Sequence, residues 1–196
     1  MNPRWRQVVL AGYDGDADTA LAALDDPDPT VRSLALGALD RLGLMSGARI
    51  ERAFIDPEPA VRRRGIQLSA RHRAGDLLAV LDDHDASVVE LAAWACGEHE
   101  IVSDAILSKL IGLTGSSDVA LVREACVAAL GAIGDERGLP AILSGCTDQP
   151  AVRRRAVLAL APFDGAEVEA AITAALIDRD WQVRQAAEDL RRAASL

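Results

Sequence analysis

The chain is poor in the residues that build sheets, disulfide frameworks, metal sites and membrane spans. Aromatics are 3% of its 196 residues, against a 50% hydrophobic content dominated by Ala and Leu. That is a helix-forming composition and argues against a sheet. Cys96, Cys126 and Cys146 are odd in number, 30 and 20 residues apart, and form no C-x-x-C pair. They are expected to be buried, reduced thiols in a cytoplasmic protein, with no nucleophilic role. No apolar run approaches the ~18 residues that a spanning helix needs. The run "QVVLAGY" after Arg4 and Arg6 is too short for a secretory signal, and Asp14 and Asp16 follow it at once. Positive charge is also short. Lys and Arg total 21 against 30 Asp and Glu, a net charge of −9 with Lys109 as the single lysine. Such a surface repels phosphate backbones at long range, which excludes bulk nucleic-acid or anionic-membrane binding but not a local basic patch. Of the three histidines, His72, His84 and His99, only His99 forms a His-Glu pair, with Glu100. Gly115-Ser116-Ser117 and Gly131-Ala132-Ile133-Gly134 lack the Lys-Ser or Lys-Thr of a phosphate loop and are expected to end helices. Neither a metal nor a cofactor is implied.

What the chain does have is a repeat. "PAVRRR" occurs at 59–64 and again at 150–155, and its Val marks a series: Val31, Val61, Val88, Val122, Val152 and Val183. The steps are 30, 27, 34, 30 and 31 residues, so the two copies stand three periods apart. Arg follows five of the six anchors, at Arg32, Arg62, Arg123, Arg153 and Arg184, while the third unit has Val89. Each anchor is expected to open a helix. Three residues earlier stand Asp28, Glu58, Asp85, Gln149 and Asp180, mostly groups that accept from free amides or suit the positive helix end. Pro29, Pro59 and Pro150 occupy the first helical position, where a missing N–H costs nothing. Four residues after each anchor the side chain is small: Ala35, Gly65, Ala92, Cys126, Ala156 and Ala187. Positions zero, four, seven and eight share one face at 3.6 residues per turn, so another helix must approach there closely.

A second amphipathic stretch precedes each anchor, for example "DTALAALDD", "DLLAVLDD" and "EVEAAITAALID". The unit is therefore two helices in about 30 residues, too thin to cover its own apolar faces, so units must stack. The expectation is an all-α, single-domain α-solenoid of about six helix pairs over 16–194. Residues 1–15, with Trp5 in "WRQVVLAGY", form a cap over the first pair.

The segments "DDPDPTVRSLALGAL", "IDPEPAVRRRGIQL", "LDDHDASVVELAAWACG", "REACVAALGAIGD" and "IDRDWQVRQAAEDL" resemble the HEAT-repeat family, in particular its short bacterial subtype also found in phycobilisome lyases. In that family an Asp six residues before the Arg helps form a ladder between repeats. The resemblance implies that role for Asp26 with Arg32, Asp56 with Arg62, and Asp178 with Arg184. Arg123 and Arg153 have Ser117 and Thr147 at that position, and Asp83 faces Val89. The ladder is therefore expected to weaken across the middle, where the 34-residue step also lies, with a bend or looser joint there.

The same resemblance places the anchor helices on a concave face, where positions two, three and six point outward. The candidate partner-binding residues are Arg63, Arg64, Glu90, Trp94, Glu124, Arg154, Arg155 and Leu158. Six units at ~10 Å spacing would make a groove on the order of 60 Å long. An aromatic anchor flanked by Arg suits a protein or peptide partner, so the function expected is a non-catalytic interaction scaffold. The blander alternative is a solvated face, with Trp94 tucked against a neighbouring helix and Trp181 packed under the last helix start. Among enzymes of this architecture, an accessory bilin lyase is the alternative. A HEAT-like DNA glycosylase would need a basic, aromatic-lined face, and a di-iron hydroxylase several His-Glu pairs.

Overall fold

Asp28, Asp85 and Asp180 begin helices as their chemistry dictates, accepting from the main-chain N–H groups of Thr30 (2.9 Å), Ser87 (2.9 Å) and Gln182 (2.8 Å). Glu58 and Gln149 stand at the same place but make no such cap bond, their longer side chains not turning back onto the helix end. The structure, a computed structural model, describes residues 2–99 and 101–194, and among them every regular element is helical. The chain divides into two compact units, Met1–Val80 and Leu81–Leu196.

The first unit contains α1 (Pro3–Asp14), α2 (Ala17–Ala22), α3 (Pro29–Arg41), α4 (Gly47–Phe54) and α5 (Pro59–His72). Helices α1, α3 and α5 pack in series, with α2 against α3 and α4 against α5. The second unit contains α6 (Ala86–Glu98), α7 (Asp104–Ser116), α8 (Ala120–Ile133), α9 (Leu139–Gly145), α10 (Pro150–Ala159), α11 (Ala166–Ala175) and α12 (Trp181–Ala194). There α6, α8, α10 and α12 pack in series, and α7, α9 and α11 lie against them. All six anchor valines are at most 2% exposed, and Ala35, Ala92, Cys126, Ala156 and Ala187 four residues on are fully covered. The small residues serve close approach: a Cβ on Gly65 would lie 2.7 Å from the Ala53 Cβ of α4.

The third repeat departs from the two-helix expectation. Its stretch "DLLAVLDD" forms only a 3-10 turn, Ala79–Asp82. This is the shortest step of the series, and its residues are taken up in turning: Arg73 and Gly75 have φ of 49° and 89°, and the Asp76 carboxylate accepts from Leu78 N at 3.0 Å. Too few residues remain for a helix before Asp83. The longer 34-residue step is accommodated by α7, whose 13 residues exceed those of α9 and α11.

The ladder is built differently from the pattern inferred above. Each Arg donates through Nη1 to the backbone carbonyl of its own preceding loop: Arg32 to Asp26 O (2.9 Å), Arg62 to Asp56 O (2.9 Å), Arg123 to Ser117 O (2.8 Å), and Arg184 to Asp178 O (2.7 Å). Because a carbonyl accepts, the side chain six residues back is immaterial to this bond, and Ser117 serves as well as Asp. The carboxylate partner comes instead from the next loop. Arg32 grips Asp56 with two bonds of 2.8 and 2.6 Å, Arg123 grips Asp148 (2.7 and 2.8 Å), and Arg153 grips Asp178 (2.8 and 2.7 Å). The Arg123 and Arg153 rungs expected to be weak are therefore present, with Asp148 supplying an acid one residue after Thr147, whereas the third repeat has Val89 where the donor would stand. Each acid also turns its own loop, accepting from Glu58 N (2.9 Å), Gln149 N (2.6 Å) or Asp180 N (2.8 Å). The Arg hydrogen bonds hold Asp148 and Asp178 below the ordinary carboxylate range. Burial raises Asp56, but the bonds from Arg32 and Glu58 N outweigh it and leave Asp56 low as well.

Helix α1 joins this pattern rather than merely covering an end. Arg4 pairs with Asp26, and Trp5 Nε1 donates to Asp28 at 2.8 Å. A Cβ on Gly12 would lie 2.8 Å from the Ala38 Cα of α3, as one on Gly131 of α8 would lie 2.7 Å from the Ala159 Cα of α10. Ala38 and Ala159 both stand seven residues after their anchors. Trp5, Val8 and Ala11 fill the space between α1 and α3.

Candidate functional site

The buried anchors and small residues turn positions two, three and six of α6, α8 and α10 to one face of the second unit. The three helices approach closely there, because a Cβ on Gly97 would stand 3.3 Å from the Ala129 Cα, and one on Gly131 would meet Ala159. Helix α6 presents Glu90, Leu91 and Trp94; α8 presents Glu124, Ala125 and Ala128; α10 presents Arg154, Arg155 and Leu158. Trp94 is 45% exposed and Leu158 38% exposed, so neither is tucked into a neighbour. The structure brings Glu124, Arg154 and Arg155 together: the Glu124 carboxylate lies 3.7 Å from Arg154 Nη2 and 3.5 Å from Arg155 Nε. Arg155 Nε is covered and makes no hydrogen bond, so the pair holds by charge rather than by a well-aimed donor. One carboxylate between two guanidiniums leaves this cluster with an excess positive charge beside exposed apolar surface. Glu90, half-exposed on α6, carries the opposite sign.

Arg63 and Arg64 lie in the first unit, on α5, and both are half-buried. Arg64 Nη1 donates to Gln67 Oε1 at 3.3 Å, while its Nη2 lies across α3, 3.1 Å from where a Cβ on Gly37 would stand. Burial draws the Arg64 pKa below the usual guanidinium value. Trp181, expected under the start of α12, is instead 64% exposed there.

Other chemistry is sparse. Among the described residues no three His, Cys, Asp or Glu side chains gather where they could hold a metal ion, and Glu100 of the His99-Glu100 pair lies outside the described residues. No disulfide joins the three cysteines; Cys96 and Cys126 are buried as expected, Cys146 only partly, and burial pushes Cys126 up to about 12 and Cys146 to about 11, leaving these two protonated at neutral pH. A depression of about 450 Å³ in the first unit is lined by Asp25, Arg32, Arg52 and Asp56, whose charges already pair as Arg32–Asp56 and Arg52–Asp25. No described helix is long and apolar enough to cross a membrane.

Comparison with known proteins agrees with the helical repeat architecture. Residues 74–151 match the model of a family described as HEAT repeats. No curated protein matches the sequence. Among solved structures, YibA of E. coli aligns with 100% of this chain and 78% of its own, at TM-score 0.63 and 19% identity. An engineered protein covers 92% of this chain and 97% of its own (TM-score 0.62, 17% identity). A designed armadillo repeat protein covers 89% and 98% (TM-score 0.60, 16% identity). At these identities the likeness is one of fold. The chain is an all-α repeat protein with the solenoid fold of HEAT and armadillo proteins, and its residues 74–151 match as HEAT repeats.

Proposed function

We propose that this protein is a non-catalytic interaction scaffold of the cytoplasm that binds a protein or peptide on the faces of its anchor helices. The observation carrying this reading is the patch on α6, α8 and α10. There Trp94 of α6 and Leu158 of α10 stand exposed on the face that carries the Glu124–Arg154–Arg155 cluster, although every anchor and small position beneath them is buried. A large aromatic left half in water on a rigid helix, sharing a face with Arg154 and Arg155, has the residue types of a binding hot spot. Exposed Arg heads give a partner bidentate donors, and the helices supply the face ready-made, so little ordering entropy is lost on binding. Cysteines joined by no disulfide suit a reducing compartment.

The test is quantitative affinity capture with wild-type chain and with Trp94→Ala, Leu158→Ser and Arg154→Glu, each side chain being at least one-third exposed. Partners held by the wild type should be lost from Trp94→Ala while its melting temperature stays within about 2 °C, since exposed substitutions cost little. Retention of the same partners by all three variants would remove this face from the function.

A further inference from the structure

The first unit carries a second, differently built surface. Two glycines in helix interiors, Gly12 of α1 and Gly37 of α3, are each overlaid by an arginine from the next helix. Arg41 Nε lies 2.9 Å from where the Gly12 Cβ would stand, and Arg64 Nη2 lies 3.1 Å from that of Gly37. The space each glycine leaves beside its helix is bordered by a guanidinium. Arg41 also stacks on Tyr13, whose ring centroid is 4.7 Å from the guanidinium carbon and which is 70% exposed.

Neither Arg41 nor Arg64 forms an ion pair with a carboxylate among the described residues. The acid between their helices, Asp40, is 6% exposed and already engaged by Arg71 Nη1 (2.8 Å) and His72 Nε2 (2.7 Å). Asp40, Arg41 and Arg71 all act electrostatically on Arg64, the acid stabilising its charge and the two arginines opposing it. Three guanidiniums around one buried carboxylate make a locally positive surface on a chain whose net charge is −9.

We propose that Tyr13, Arg41, Arg64 and Arg71 form a docking surface for an acidic peptide segment of a protein partner, whose Asp or Glu carboxylates pair with Arg41 and Arg64. The proposal rests on the reading of these helix faces as protein-binding. Guanidinium forks held in place bind carboxylates bidentately with little further loss of freedom. The acidic remainder of the chain repels a long polyanion such as nucleic acid. A short segment places its few charges on the patch alone.

The experiment uses a fluorescein-labelled octaglutamate peptide and the full chain, with fluorescence anisotropy at low and high salt. Saturable binding is expected, weakened at least tenfold by Arg41→Gln with Arg64→Gln, several-fold by Arg41→Gln alone, and unchanged by Trp94→Ala. Arg41 is exposed, so its single variant keeps the test valid if the double variant folds poorly. No binding to the wild-type chain, or equal binding to the Arg41→Gln variant, overturns the proposal. Tighter binding of a phosphoserine peptide of the same length overturns the carboxylate assignment. Random-peptide display against the full chain separates the two readings. Selected peptides that are not acidic and respond only to Trp94→Ala sink this proposal and leave the scaffold reading standing; recovery of no binder sinks both.

Discussion

Gly131→Ala is the sharpest test of how the second unit is assembled. The added Cβ would lie 2.6 Å from the Ala159 Cβ, 2.7 Å from its Cα and 2.9 Å from its carbonyl oxygen, where ordinary contact begins near 3.4 Å. Two of these three atoms are backbone, so no rotamer change relieves the clash, and α10 must move away from α8 by several tenths of an ångström. In an isolated helix the same change would stabilise by about 1 kcal/mol, because Ala loses less conformational freedom than Gly. Overpacking a close-packed contact costs typically about 1–3 kcal/mol, more where the obstacle is main chain. The net expectation is a loss of about 1–2 kcal/mol, or roughly 3–6 °C in melting temperature for a chain of this size. Gly112→Ala on α7 is the internal control: nothing lies within 4 Å of its Cβ, so the propensity gain of about 0.5–1 kcal/mol should appear undiminished. Thermal and urea unfolding of the two variants should thus shift in opposite directions. If Gly131→Ala raises the melting temperature as Gly112→Ala does, α8 and α10 do not meet backbone to backbone, and the geometry derived for the binding face is wrong.

The ladder should be energetically real. Arg153→Ala would strand the Asp178 carboxylate, whose side chain is 15% exposed, and should cost about 3 kcal/mol, with a coupling above about 1 kcal/mol in a double-mutant cycle with Asp178→Asn. Arg123→Ala should behave alike through Asp148. Asp56, Asp148 and Asp178 are held below their unfolded pKa, so the folded state binds fewer protons than the unfolded one. Their stabilisation should be complete above about pH 5 and decline as pH falls below about 4 through the depressed values, and urea titrations should show a shallower decline in Arg153→Ala. Trp181→Ser, at a 64% exposed position, should change the melting temperature by less than about 2 °C.

How much of this was legible in the sequence depended on whether the physics was local. Helix starts follow from side chains within three residues, and Asp28, Asp85 and Asp180 cap as their type requires. Burial of the anchors follows from periodicity, which Val31 to Val183 obey throughout. The 27-residue step was visible, but not its result, because loss of a helix at 79–82 depends on how many residues Arg73, Gly75 and Asp76 spend on turning. The acid of each rung lay outside the expected spacing. Asp148 serves Arg123 across 25 residues, one place off the repeat register, and Arg4 serves as the Arg of a repeat without any "VR" motif to announce it. A signal for α1 did exist, in Gly12 standing where Gly97 and Gly131 stand in later repeats.

The sequence by itself determined an all-α repeat, its period, its buried face and the identity of the outward stripe, since helix periodicity and capping act over a few residues of one chain segment. Tertiary structure alone decided which outward residues are usable. Only the packing of adjacent helices leaves Trp94 and Trp181 in water, seats Glu124 between Arg154 and Arg155, and lays Arg41 and Arg64 over glycines. Exposure and charge pairing are properties of neighbours brought together by folding, and no single helix carries them.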